Sequence, residues 1–216
     1  MKKSLPVIAG GTPTRKTYLT FGAPDVGKLE IENVVDSLSS GWLSTGKKVS
    51  QFEDGIGKLV GCAYVRAVNS CTAALHLSLI AANVGPGDEV ITSPLTFAAT
   101  ANVIFHVGAK VVFTDVDPLT GNLDPKEIKS RITKKTKAII PVHLYGLPCE
   151  MDPILDLAKR YHLWVIEDAA HALGASYKGK PIGVVGDFTC FSFYVTKNLV
   201  TGEGGMVTTR HKKLAR

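Results

Sequence analysis

The sequence predicts an α/β protein: an α/β/α three-layer arrangement with a mostly parallel sheet. Three observations carry this. From residue 62 onward, short apolar runs alternate with amphipathic stretches of helical spacing. Small polar turns join the runs to those stretches. Two of the later runs end in charged residues, and in open sheets such residues stand at the carboxyl ends of strands, where ligands bind. Strand–helix alternation of this kind gives parallel strands buried under helices on both faces.

The elements follow in order. Residues 1–24 are rich in Gly, Pro and Thr and read as an arm ahead of one domain, 25–216. Residues 25–38 carry Val26, Leu29, Val34, Val35 and Leu38 near helical spacing. A loop over 40–48 (SGWLSTGKK) leads to a second helix over 49–60, with Phe52, Ile56 and Leu59 inward. The loop nearly matches the phosphate-loop pattern G-x4-G-K-[ST]. It fails twice: Lys48 stands where Ser or Thr would hold magnesium, and a helix precedes it instead of a strand. A nucleotide hydrolase is therefore not supported.

Strands are predicted over 64–68, 89–92, 110–115, 138–142, 163–166, 188–194 and 204–208. Helices fill 73–82, 94–105 (with Phe97 in the first turn), 124–132 and 151–161. Asp124 and Pro125 suit a helix start, as cap and first helical residue. Residues 177–186 read as turn-rich.

Composition narrows the function classes. A chain of 216 residues with 45% hydrophobic and 20% charged content is an ordinary globular domain. No apolar stretch has the length of a membrane span, and the first residues do not make a convincing signal peptide. The cysteines at 62, 71, 149 and 190 show no metal-binding spacing, so no metal is expected. Scattered thiols suggest a reduced, cytoplasmic protein. The net charge of +6 is spread along the chain and accompanies no nucleic-acid motif. No G-x-G-x-x-G follows a strand, so a dinucleotide-binding domain is not supported.

The chemistry concentrates over 163–207. One apolar run ends in Glu167-Asp168, with His171 three residues on; another ends in Thr196-Lys197 and is followed by glycines. An acid and an amine at neighbouring strand ends suit pyridoxal phosphate. Its aldehyde takes a lysine amine, and its ring nitrogen takes a carboxylate. Taken singly, the plainer readings are favoured, a surface lysine for Lys197 and a helix cap for Asp168, since both residue types are mostly exposed. The turn Asn69-Ser70-Cys71-Thr72, between a strand and a helix, presents backbone N–H groups suited to a phosphate.

The stretches EDAAHALGA, GD and CFSFYVTKNLVTGEGGM resemble the DegT/DnrJ/StrS family of sugar aminotransferases, pyridoxal-phosphate enzymes of the aspartate-aminotransferase fold. The resemblance runs from about Leu19 to the last residue. It implies the large domain of that fold, with the C-terminal small domain missing. It implies Lys197 as the catalytic amine, Asp168 at the pyridine nitrogen and His171 near the phenolic oxygen. Ser192 with the backbone of Cys71 and Thr72 would hold the phosphate, and Phe97 would cover one ring face. The family usually has Gly where Cys71 stands, which is harmless unless the turn needs positive φ. The GWLSTG loop and the segment HLYG at 143–146 would lie near the site; a satisfied structural histidine is the competing reading of His143.

The resemblance further implies transfer of an amino group, usually from glutamate, to a keto group of a nucleotide-linked sugar. It implies a homodimer with the site at the interface. The alternative is a truncated, catalytically inactive or regulatory homologue that still binds the cofactor.

Overall fold

The computed structural model describes residues 5–215. Seven strands form one sheet in the order β1-β9-β8-β5-β4-β2-β3: β1 (Tyr64–Val68), β2 (Glu89–Thr92), β3 (Lys110–Phe113), β4 (Thr136–Ile140), β5 (Trp164–Asp168), β8 (Phe188–Ser192) and β9 (Gly205–Thr209). A two-residue hairpin, β6 (Ser176–Tyr177) with β7 (Lys180–Pro181), occupies the predicted turn-rich segment. Only β9 runs against the others in the large sheet, pairing antiparallel with both β1 and β8. Its first residue, Gly205, therefore lies at the edge where the other strands end.

The strands read as continuous apolar runs because both faces are covered. Alternate residues serve opposite cores. Ile91, Ile139, Val165 and Phe191 pack with Ile56, Val60, Ile128, Met151 and Ile154 from α2 (Lys47–Val60), α5 (Pro125–Arg131) and α6 (Met151–Tyr161). Val90, Ile140, Ile166 and Phe188 pack with Leu75, Leu79, Val103 and Ile104 from α3 (Cys71–Ala81) and α4 (Ala99–His106). This is the predicted three-layer arrangement.

Several boundaries differ from expectation. The first helix, α1, spans Lys28–Ser39 and buries no residue. Helix α2 begins at Lys47, so Lys47 and Lys48 leave the loop; Lys48 reaches back to Asn33 and Asp36 on α1, each at 2.9 Å. Leu59 is exposed, and Val60 takes the inward position. Strand β4 stops before Pro141, which has no N–H for the ladder. Strand β3 ends at Phe113, after which Asp115 turns its carboxylate onto the Val116 N–H. Strand β8 stops at Ser192: the Phe193 N–H still reaches the Gly204 carbonyl, but its own carbonyl accepts from the Thr201 N–H. Phe97 precedes α4: the Ser93 hydroxyl caps the Leu95 N–H in a turn around Pro94 that delays the helix. Among the described residues no helix is long and apolar enough to cross a membrane.

Candidate active site

A cleft of about 700 Å³ opens at the carboxyl edge of the sheet. Cys71, Thr72, Phe97, Asp168, His171, Ser192 and Lys197 all line it. The seven residues singled out in the sequence thus converge on one space, though Cys71 and Lys197 lie far apart in the chain.

At one end of the cleft lies the start of α3. Ser70 is its cap, and its side chain accepts the Ala73 N–H at 3.1 Å. The Cys71 and Thr72 N–H groups occupy the first two helical positions, where no intrahelical acceptor exists. Cys71 is not among the residues with positive φ, so its side chain is no obstacle to that geometry. Gly205 lets β9 reach this turn: a Cβ there would lie 2.2 Å from the Ser70 carbonyl carbon and 2.5 Å from the Cys71 nitrogen. Ser192, at the end of β8, adds a half-buried hydroxyl to the lining. Burial pushes the Cys71 thiol well above the ordinary cysteine value, and the Asp168 charge adds to that.

At the floor, Asp168 is the last residue of β5 and is buried. Its Oδ2 accepts from Thr100 Oγ1 at 2.7 Å, and its Oδ1 from the Ala170 N–H at 3.2 Å. Its backbone is fixed as well, donating to the Pro141 carbonyl and accepting from the His143 N–H.

Lys197 sits in the turn after β8, its N–H donating to the Tyr194 carbonyl. Its Nζ lies 2.5 Å from His171 Nε2. Burial lowers the pKa of both groups. For His171 the Lys197 charge lowers it further. For Lys197 burial alone drives the shift, and Cys71 and Asp168 oppose it. An amine held below its ordinary pKa has a larger neutral, nucleophilic fraction at a given pH.

His143 proves to be the structural histidine. It is among the residues around the cleft, but its side chain is fully buried, with Nε2 2.9 Å from Glu167 Oε2 and Nδ1 accepting the Cys149 N–H at 3.1 Å. The Cys149 donor fixes the tautomer: Nδ1 is bare, so Nε2 carries the proton and donates to Glu167. Tyr145, two residues on, is exposed at φ 49° and packs against the His171 ring, 5.7 Å between centroids. The GWLSTG loop does not line this cleft; Trp42 instead donates to the Thr45 carbonyl within its own loop.

Sequence reasoning passed over Thr100, whose spacing marked it only as a helical residue. It gave Glu203 no role, though that residue lines the cleft from within the TGEGG stretch; Tyr145, in the HLYG segment expected near the site, lines it too.

A three-layer sheet of this order, with a lysine and a buried aspartate facing one cleft, has the fold of a pyridoxal-phosphate-dependent aminotransferase. The chain belongs to the DegT/DnrJ/EryC1/StrS aminotransferase family, whose profile matches residues 24–216. It is 54% identical to the spore coat polysaccharide biosynthesis protein SpsC of Bacillus subtilis, over 93% of this chain and 52% of that protein. Among solved structures it resembles the putative sugar aminotransferase Spr1654 of Streptococcus pneumoniae in its PLP form, with a TM-score of 0.85 and 39% identity, over 91% of this chain and 54% of that one. It also resembles DesI, solved in the presence of its TDP-sugar product, with a TM-score of 0.89 and 39% identity, over 95% of this chain and 53% of that one. The chain thus spans about half the length of the relatives it matches.

Proposed function

We propose that residues 25–216, with 1–24 as an arm, are the cofactor-binding large domain of a pyridoxal-phosphate-dependent sugar aminotransferase. The reaction would move an amino group from an amino acid, glutamate, to a keto group of a nucleotide-linked sugar. On this reading the protein works in the cytoplasm as a homodimer with the site at the interface. One observation carries the proposal: Lys197, with its lowered pKa, and the buried Asp168 face a cleft that ends at the free N–H groups of α3.

The residues fit the cofactor. A phosphate suits the Cys71 and Thr72 N–H groups and the Ser192 hydroxyl, because a helix start favours negative charge. The close approach of Gly205 to Ser70 and Cys71 supports a cradle built for that purpose. A carboxylate at the floor suits a protonated pyridine nitrogen. Phe97, exposed at the mouth, suits one ring face. When bound, the cofactor supplies an aldehyde conjugated to an electron-accepting ring.

The chain's own residues do the rest. Lys197 is the amine that would take the cofactor aldehyde and, once released from it, would serve as the base and acid that moves the proton. His171 accepts a hydrogen bond from the Lys197 amine and stands ready to donate to the phenolic oxygen. Asp168 keeps a proton on the ring nitrogen by pairing with it.

The test is an absorbance spectrum of the purified chain with pyridoxal phosphate, followed by borohydride and peptide mapping. A visible band fixed onto Lys197 is the expected result. A folded chain with no band and no modified Lys197 would overturn the reading. A band without 2-oxoglutarate formation from glutamate would select the inactive, cofactor-binding homologue instead.

A further inference from the structure

Asp168 is held by a chain of two hydroxyls. Thr100 is fully buried in α4, and its Oγ1 donates to Asp168 Oδ2 at 2.7 Å. The same oxygen lies 2.7 Å from Thr96 Oγ1, on the cleft wall. The proton directions follow from the ends. A carboxylate only accepts, so the single Thr100 proton goes to Asp168. Thr100 therefore accepts from Thr96, and Thr96 is committed as a donor. A helical threonine commonly turns its hydroxyl back to the carbonyl four residues earlier. Thr100 instead reaches across 68 positions to the end of β5.

The other oxygen of Asp168 takes only the longer bond from Ala170 N–H, at 3.2 Å. The Thr100 bond is thus the shorter of the two protein contacts that set the carboxylate plane. We propose that Thr100 is a positioning residue: its hydroxyl, oriented by Thr96, fixes the plane of the Asp168 carboxylate toward the pyridine nitrogen of bound pyridoxal phosphate. This rests on the reading that Asp168 pairs with that nitrogen. A misoriented carboxylate pairs less well, and the ring nitrogen then holds its proton less firmly.

The variants are Thr100→Val, which keeps the shape and removes the donor, and Thr100→Ser, which restores it. Two quantities are read on the full 216-residue chain: the Kd of pyridoxal phosphate, and the 15N shift of its labelled ring nitrogen. Loss of one hydrogen bond to a charged group predicts cofactor binding roughly 10- to 100-fold weaker in Thr100→Val. The 15N signal should move toward the unprotonated position, and Thr100→Ser should restore both quantities. Thr96→Val should move the same signal in the same direction by less, and it decides the matter if Thr100→Val does not fold. A merely structural threonine would lower the melting temperature and leave the 15N shift unchanged.

A folded Thr100→Val with wild-type Kd and 15N shift would overturn the proposal, as would an unmoved signal in Thr96→Val. Failure of the underlying reading looks different: the wild-type chain would bind no cofactor, or Asp168→Asn would bind it as tightly as wild type.

Discussion

Lys197 Nζ and His171 Nε2 lie 2.5 Å apart, and burial lowers the pKa of both. The pair works as donor and acceptor only if the imidazole is neutral, the form that burial and the Lys197 charge favour. Lys197 should therefore react with pyridoxal phosphate at a lower pH than the other lysines, all measured by borohydride fixation and peptide mapping across a pH series. Lys197→Ala should lose the fixed label and the visible band while keeping its circular-dichroism spectrum. Equal labelling of Lys197 and surface lysines at every pH would contradict this.

His171 also links stability to pH. Its folded pKa lies below the ordinary value of 6.5, so on acidification the unfolded chain takes up the proton first. Stability should thus fall as pH drops below about 6.5. Lys197 has the same sign at alkaline pH, with stability rising as pH approaches the ordinary lysine value of 10.5. Denaturant unfolding of wild type and His171→Gln at a series of pH values checks the first part. The variant should show a shallower acid loss.

The buried carboxylate of Glu167 accepts from three donors. His143 Nε2 reaches Oε2, while the Gly186 N–H and the Thr189 hydroxyl, at 2.8 and 2.5 Å, reach Oε1. In Glu167→Gln the amide NH2 would face a donor in either orientation, the His143 N–H on one side or the Gly186 N–H on the other. The imidazole cannot relieve this by changing tautomer, since its other nitrogen would then face the Cys149 N–H. The variant should lose about 1–3 kcal/mol, the penalty for a buried unsatisfied donor, measured by urea unfolding. A change under about 0.5 kcal/mol, the range of neutral surface substitutions, would refute the assignment of three donors to this carboxylate.

Gly205→Ala tests the approach of β9 to α3. The new methyl would meet backbone atoms of Ser70 and Cys71, which cannot swing aside as a side chain can. Destabilisation of about 1–3 kcal/mol is expected, as for other overpacked sites. Weaker binding of inorganic phosphate should accompany it, because the displaced atoms carry the N–H groups of the cradle. Calorimetry with phosphate separates the two effects.

Much of this was legible in the residues. The apolar runs marked all seven strands of the main sheet, and Asp124-Pro125 marked a helix start whose cap accepts the Lys126 N–H at 2.9 Å. The stretch with EDAAHALGA and TKNLVTGEGG brought forward Asp168, His171, Ser192 and Lys197, and all four line the cleft. Errors fell where local pattern competes with tertiary contact. Leu59 and Val60 are adjacent apolar residues, and only the packing of α2 on the sheet chooses between them. Phe97 carries no signal for the turn that keeps it outside α4.

Local sequence, then, determined which segments form strands and helices and which chemistry stands at the strand ends, because propensity, capping and periodicity act over a few residues. The tertiary structure alone decided the strand order, which inserts β9 between β1 and β8 and brings Gly205 onto the Cys71 turn. It alone decided that Thr100 meets Asp168 and that His143 pairs with Glu167. These pairings join residues far apart in the chain. They form only when the sheet closes and each buried polar group must find a partner, a condition that no short stretch of sequence records.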